Sequence, residues 1–200
     1  MRRAASGAAV SEPDTAELAD AVRVDPQASY ARAAAAPTVI DAERAQISEQ
    51  LGRPARGETA VVHRCERGVP TVVRVAPRLP DGTPFPTTFW LTCPVLRSKV
   101  GTLEADHAMV GLNQRLEAEP EFAAAYAAGH GRYLAFRDAL GGPLPAAEVS
   151  AGGMPRFVKC LHVHAAHHLA TGDNPVGAWT LSTLTPVVCP VPCVPAPEPG

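Results

Sequence analysis

Three short runs of apolar and β-branched residues follow one another in the first half of the chain. They cover residues 59–65, 70–75 and 87–93. Val, Thr and aromatic side chains are enriched in strands, and the two connections, which contain Gly68 and Asp81–Pro86, are short. The pattern therefore predicts a small antiparallel sheet of about three strands.

Apolar positions three and four residues apart predict helices around these strands. Pro suits the first turn of a helix and Gly its C-terminal end, and such residues delimit most of the predicted segments. Strands and helices that occur in separate blocks indicate an α+β fold, here a small sheet packed with four to five helices. The predicted helices cover 41–51, a segment from 94 past 103, a segment around 109–116, 121–140 and a segment from about 160 to 172.

The two ends of the chain differ in composition from the middle. Residues 1–38 are rich in Ala, Asp, Glu and Arg and predict a disordered extension. Residues 179–200 include six prolines between 186 and 199, and proline interrupts both helices and sheets, so they predict a Pro-rich disordered tail. One α+β domain is thus expected over residues 39–178.

Composition narrows the class of protein. A chain of 200 residues that is 46% hydrophobic can bury one sizeable core, and a net charge of −2 gives no general attraction for nucleic acid. The sequence shows no apolar run of about 18 residues and no signal-peptide pattern, so no membrane span and a cytoplasmic location are expected. Five cysteines, an odd number, fit reduced thiols better than a disulfide framework.

Thiol and imidazole groups are concentrated between residues 160 and 168. Residues seven apart on a helix return to nearly the same face, so Cys160, His164 and His167 are expected to point one way and His162 the other. Zinc binds thiolate sulfur and imidazole nitrogen. The helix therefore offers up to three ligands of a metal site.

Two further thiols could complete such a site. Cys65 and Cys93 end two of the predicted strands, and a zinc ion or an iron–sulfur cluster is the cofactor that these ligands suit. No Cys-x-x-Cys pair accompanies them, and the alternative is that the cysteines are small buried hydrophobic residues. Cys189 and Cys193 fall in the predicted tail and are left out of the site.

Cys93 also admits a nucleophilic or redox role. A thiol at a helix N-terminus has a lowered pKa, and His63 is a candidate partner base. The sequence does not place the two residues together, so thiol catalysis stays an alternative.

The segment before the last predicted helix suggests anion binding. Gly152 and Gly153 let backbone N–H groups turn towards a ligand, and Arg156 and Lys159 supply positive charge. An enzyme that acts on a phosphorylated or otherwise anionic small molecule would use such a loop. The alternative is an ordinary tight turn.

Four hydrogen-bonding residues fall on one stripe of the helix predicted over 121–140. They are Tyr126, His130, Tyr133 and Arg137, at spacings of four, three and four. A buried polar seam is favoured over a pocket wall. In the enzyme hypothesis, His130 or His162 moves a proton.

Several separate motifs occur in an order that resembles a known family. They are Gln50–Pro54, His63–Cys65, Ala76–Leu79, Asp81–Thr87, Trp90–Pro94, Ser150–Pro155, Val158–His162, His167 and Asn174–Gly177. Together they resemble the bacterial domain of unknown function 501, best represented in actinobacteria, over about residues 41–177.

The resemblance implies a cytoplasmic bacterial protein without an established activity. The family is often encoded beside a septum-formation initiator and an exopolyphosphatase or enolase, which implies division-associated proteins as partners. The positions that match the family pattern are Cys65, Cys93, Cys160, His162 and His167, whereas His164 and His168 do not belong to it. Many relatives also have Cys-Pro where this chain has Cys65 followed by Glu.

Three functions are therefore expected as alternatives. The first is a metal-binding protein that uses Cys65, Cys93, Cys160 and either His162 or His167 to tie strands to the last helix. The second is the enzyme acting on an anionic small molecule. The third is a non-catalytic interaction module for division or envelope proteins.

Overall fold

The structure, a computed structural model, describes residues 25–145, 150–184, 189 and 191–195. Within these ranges a three-stranded antiparallel sheet is combined with seven α-helices, which confirms the α+β class. The strands are β1 (Thr59–Arg64), β2 (Pro70–Val75) and β3 (Phe89–Leu91), and the helices are α1 (Pro26–Ala35), α2 (Asp41–Leu51), α3 (Pro94–Ala105), α4 (Ala108–Ala118), α5 (Pro120–Gly141), α6 (Leu161–Thr171) and α7 (Pro175–Thr183).

The sheet has the order β1-β2-β3, as short connections dictate. Thr59 pairs with Val75 and Val73 with Trp90, and the pairing of β1 with β2 shifts register around His63. Such an irregularity bends a strand, and here it lies at the end of β1, just before Cys65. Every residue of the central strand β2 is buried, because helices cover both faces of the sheet.

The two faces of the sheet contribute to two clusters of apolar side chains. On one face, Val73 and Val75 pack with Ile47 of α2. On the other, Val72 and Phe89 join the larger core with α5 and α6, which includes Tyr133 and Leu161. Helix α6 lies between the sheet and α7 and contacts both.

No helix among the described residues is both long enough and apolar enough to span a membrane.

The region predicted as a disordered extension contains a packed helix, so that prediction is wrong for the described residues 25–38. Asp25 caps α1 by accepting a hydrogen bond from the backbone N–H of Gln27 (3.0 Å), and Pro26 starts the helix. Tyr30 is 8% exposed and packs against Phe136 of α5. The high Ala content hid a helix whose single aromatic side chain anchors it to the core. Residues 1–24 lie outside the described part.

The predicted boundary at residue 178 falls inside a helix. α7 continues to Thr183, with Asn174 as its cap and Pro175 in its first turn. Beyond it, Val194 is 4% exposed, and Gln46 of α2 donates a hydrogen bond to the carbonyl of Pro195 (2.7 Å). Proline prevents helix and sheet but not packing without regular secondary structure, so the predicted disorder does not hold for residues 179–184 or for Val194 and Pro195. Residues 185–188, 190 and 196–200 lie outside the described part.

The contact between α6 and α7 is close because Gly177 lies in it. A Cβ atom at Gly177 would come within 2.1 Å of the carbonyl oxygen of His164 and 2.6 Å of the Cβ of His168. No side chain fits between the two helices at this point.

We expect Gly177→Ala to force α7 away from α6 and to lower the free energy of unfolding by about 2 kcal/mol or more. Gly111→Ala is the matched control, because Gly111 is an exposed residue within α4 whose added Cβ would meet nothing within 4 Å. The control should change stability by no more than about 1 kcal/mol, in the stabilising direction. Urea denaturation of both variants tests this, and equal effects would contradict the close approach.

Candidate metal centre

The start of α6 is held by a carboxylate from another helix. Cys160 is the N-cap residue of α6, has an extended backbone and makes no capping bond with its own side chain. Glu104, in the last turn of α3, instead accepts a hydrogen bond from the backbone N–H of Leu161 (2.6 Å). A carboxylate at a helix N-terminus is favoured by both the unpaired N–H groups and the helix dipole.

The imidazole of His162 lies against the same carboxylate. Its Nδ1 donates to Oε1 of Glu104 (3.1 Å) and its Nε2 donates to the carbonyl oxygen of Arg97 (3.1 Å). The hydrogen bond with Cys160 and the contact with Glu104 raise the pKa of His162 to about 9, although partial burial opposes the charge. With an acceptor at each ring nitrogen, His162 is an imidazolium at neutral pH.

Glu104, Cys160 and His162 together form a ligand group. One ligand atom from each residue lies within 4.8 Å of the other two, and all three residues are half-buried. In the part of the chain that the structure describes, no other set of three or more His, Cys, Asp or Glu residues meets this condition. Thiolate, imidazole and carboxylate are the three side-chain ligands of zinc.

A cavity of about 320 Å³ opens beside this group. Cys160 and His162 line it together with two arginines, Arg53 and Arg97, and the indole of Trp90. The guanidinium of Arg53 lies 5.5 Å from the centre of the Trp90 ring, and that of Arg97 donates to the carbonyl of Gln50 (3.1 Å). Both positive charges are thus fixed at the wall of the cavity.

The five predicted metal ligands divide among three places. Cys160 and His162 lie together with Glu104, whereas Cys65 and Cys93 line a second cavity of about 770 Å³. His167 is fully buried in the core. The structure therefore does not bring all five ligands to one metal.

His167 and His164 belong to a polar network inside the core. The side-chain N–H₂ of Asn174 donates to Nδ1 of His167 (3.0 Å) and to Nδ1 of His164 (3.3 Å). Nε2 of His167 then donates to the hydroxyl of Tyr30 (2.5 Å), and Nε2 of His164 to the carbonyl of Gly152 (3.2 Å). Burial lowers the pKa of His164 to about 4 and that of His167 well below its ordinary value, so both are neutral.

The helix-face argument for Cys160, His164 and His167 is wrong for a geometric reason. Cys160 precedes the helix and has the backbone of a strand, with φ −147° and ψ 112°. Helical spacing therefore does not relate its side chain to those of the two histidines, which point into the core while the thiol faces the cavity.

The predicted anion loop is closed by its own hydrogen bonds. The backbone N–H of Gly153 donates to Ser150 (3.2 Å) and that of Lys159 to Gly152 (2.8 Å). Gly152 has φ +72°, and a Cβ there would lie 2.9 Å from the ring of His164. The glycines thus serve a tight turn against α6. The side chains of Arg156 and Lys159 are exposed.

The polar stripe of α5 faces the interior. Tyr126 donates to the carbonyl of Phe157 (3.1 Å), Tyr133 to that of Pro86 (3.1 Å), and His130 makes a hydrogen bond with Ser150 (2.7 Å). Four buried side chains make up the stripe, each with a polar partner: Tyr126, His130, Tyr133 and Arg137. As the buried-seam prediction requires, the stripe joins α5 to the loops that contain its hydrogen-bond partners.

Cys93 does not have the expected activated thiol. It is the N-cap residue of α3, and the N–H groups of Leu96 and Val95 lower its pKa, but burial has the larger effect and raises it. His63 lines the same cavity but makes a hydrogen bond with Thr71 (3.0 Å), and burial lowers its pKa. The prediction of a lowered thiol pKa at Cys93 is wrong.

Sequence reasoning missed Glu104 and misjudged Cys189 and Cys193. Glu104 is one acidic residue among several at the end of a helix, 57 residues from its partner Leu161, and no spacing links them. Cys189 and Cys193 line the second cavity with Cys65 and Cys93. The signal that could have identified them is their Cys-x-x-x-Cys spacing.

Comparison with known proteins identifies a family. A family model described as "Protein of unknown function (DUF501)" matches residues 61–182. Neither the curated proteins nor the solved structures include a match to this chain. The matched range contains Glu104, Cys160 and His162 and ends before Cys189.

We expect the metal-free protein to lose stability between pH 6.5 and 9 because of His162. Its pKa is about 9 when folded against an ordinary value of 6.5, so the folded state holds a proton that the unfolded state releases. The stabilisation that this proton gives the folded state is complete below pH 6.5 and disappears as the pH rises through about 9. Urea denaturation in the presence of a chelator and a reductant should show this fall for the wild type and a flatter profile for His162→Gln. Parallel profiles would show that His162 is not protonated as described.

Proposed function

This chain belongs to the DUF501 family of proteins of unknown function, as its motifs predicted, and we propose that it binds one zinc ion through Glu104, Cys160 and His162. The observation that carries the proposal is the approach of three chemically suitable ligand atoms to within 4.8 Å of one another. A thiolate and a carboxylate together neutralise the charge of Zn²⁺, which favours an ion of this type over a monovalent one.

The ligands come from two helices that other contacts already hold in place. Glu104 lies in the last turn of α3, and Cys160 and His162 flank the first residue of α6. The hydrogen bond from Leu161 to Glu104 fixes the carboxylate, so zinc would meet a site whose backbone needs little rearrangement. His162 must lose a proton, and its hydrogen bond to Glu104 is replaced by a bond to the metal.

Three protein ligands leave one position of a tetrahedral zinc ion for another molecule. Structural zinc sites are closed by four protein ligands, whereas catalytic sites keep three and an exchangeable position. Cys160 and His162 line the cavity of about 320 Å³, which gives that position access to a small molecule. The geometry thus favours a Lewis-acid role over the structural role predicted from the sequence.

The cavity also supports the alternative of an enzyme that acts on an anionic small molecule. Arg53 and Arg97 place two positive charges on its wall, and Trp90 adds an aromatic surface. We infer that a ligand with a carboxylate or phosphate group enters here, rather than at the closed loop of Gly152 and Gly153. The interaction module with division proteins as partners stays a prediction from the family resemblance.

Zinc binding is tested by metal analysis of the untagged protein and of conservative variants. We expect Cys160→Ser, His162→Gln and Glu104→Gln each to lower the zinc content by one equivalent or to weaken binding by about tenfold or more. His107→Gln and Glu121→Gln alter exposed residues of the same types on the neighbouring helices and should bind as the wild type does. Unchanged zinc content in all three site variants would contradict the proposal.

Zinc affinity should also depend on pH in a way that identifies His162. Zinc must displace the proton of His162, whose pKa is about 9, in addition to the proton of the Cys160 thiol, so up to about pH 9 the affinity should rise about tenfold more per pH unit in the wild type than in His162→Gln. Competition with a chromophoric chelator at several pH values measures the slope, after correction for protonation of the chelator. Equal slopes for the wild type and His162→Gln would show that zinc binding displaces no proton from His162.

A further inference from the structure

Four of the five cysteines of the chain line a single cavity of about 770 Å³. They come from three separate parts of the sequence. Cys65 follows β1, Cys93 precedes α3, and Cys189 and Cys193 belong to the C-terminal segment. Thiols that converge from such distant positions are unusual for cysteines that only fill space in a core.

The C-terminal segment is held at this cavity by specific contacts. Arg67, in the turn between β1 and β2, donates to the carbonyl of Cys189 (2.9 Å). Gln50 of α2 donates to the sulfur of Cys193 (3.5 Å), and the neighbouring Val194 is buried. The positions of both tail thiols are therefore set by the folded part of the chain.

A buried acceptor at the cavity also lacks a partner. Gln50 lines the cavity and is 5% exposed, yet its Oε1 has no hydrogen-bond partner among the described residues. A buried amide oxygen without a partner is costly and marks a place where a further group is expected. The other polar atom of this amide, Nε2, donates to Cys193, so the unpartnered oxygen belongs to a side chain in contact with one of the thiols.

We propose that Cys65, Cys93, Cys189 and Cys193 bind a second zinc ion and thereby tie the C-terminal segment to the sheet. Each thiol gives up its proton, so that four thiols and Zn²⁺ yield a tetrathiolate complex and four protons without any oxidant. Four protein ligands close the coordination shell, which makes this site structural. It goes beyond the three-residue site and does not rest on it.

The charge and burial of the cavity agree with this chemistry. Cys93 is buried, and burial disfavours unpaired charge, so a cation is needed for the thiols to ionise together. The complex has a charge of −2, and Arg64 and Arg67 line the same cavity. A soft divalent ion therefore suits the site better than Ca²⁺ or Mg²⁺.

Metal binding requires the thiols to draw together. In the described residues no three of these sulfur atoms lie within 4.8 Å of one another. With Zn–S bonds of about 2.3 Å, tetrahedral geometry places the sulfurs about 3.8 Å apart. Cys193 is the exposed member of the set, so its thiol is the one expected to move towards the others when the metal binds.

Cobalt substitution in the full-length, untagged and reduced protein tests the proposal. We expect Co²⁺ to give the intense ligand-field and sulfur-to-cobalt charge-transfer bands of a tetrathiolate site, and zinc to displace them. Cys65→Ser and Cys193→Ser should each abolish the four-sulfur spectrum and lower the zinc content by one equivalent. Cys160→Ser should leave that spectrum intact, so failure of one site is distinguished from failure of the other.

Several outcomes would overturn the second site. One is a cobalt spectrum that is the same in Cys65→Ser and Cys193→Ser as in the wild type, provided that circular dichroism shows both variants to be folded. A second is protein that binds no metal at the four thiols and loses two titratable thiols on air oxidation, which indicates a disulfide. A third is the visible absorption of an iron–sulfur cluster that disappears in the same variants.

Discussion

The amide of Asn174 is the interaction on which the arrangement of the fold depends. Its N–H₂ group bridges Nδ1 of His164 and Nδ1 of His167, and its oxygen accepts from the backbone N–H of Gly177. One side chain thus fixes the ring orientation of two buried histidines of α6 and caps α7. Loss of this amide would leave three buried polar atoms without this partner. The bridge holds α6 in place, and the position of α6 determines where Cys160 and His162 meet Glu104.

The same helix shows how environment decides the state of a histidine. His164 and His167 are enclosed by apolar side chains and are neutral, because burial disfavours their charge. His162 lies two residues earlier than His164, beside Glu104 and the thiol of Cys160, and it is charged. The core histidines are structural, since each has hydrogen-bond partners at both ring nitrogens. Of His162, His164 and His167, His162 is the one that lies beside a cavity and in contact with a thiol and a carboxylate, which is why the proposed chemistry is assigned to it.

The sequence predicted the sheet and the central helices because each of these elements has a local signal. Turn residues delimit β1 and β2, and Gly52 ends α2 at the predicted residue. Helix α1 was missed because alanines carry no apolar periodicity, and the packing of the C-terminal segment was missed because proline content was equated with disorder. The site was half predicted: Cys160 and His162 were selected, but Glu104 reaches them only through tertiary structure. Cys65 and Cys93 were assigned to the same site as Cys160, but in the fold they line the other cavity.

The central claim is that Glu104, Cys160 and His162 hold one zinc ion. Anomalous diffraction at the zinc absorption edge, from crystals of the full-length protein grown with zinc, tests it most directly. The account predicts an anomalous peak bonded to the sulfur of Cys160, a ring nitrogen of His162 and a carboxylate oxygen of Glu104. The account would be contradicted if zinc-saturated crystals showed no peak there and His162 still donated to both Glu104 and the carbonyl of Arg97.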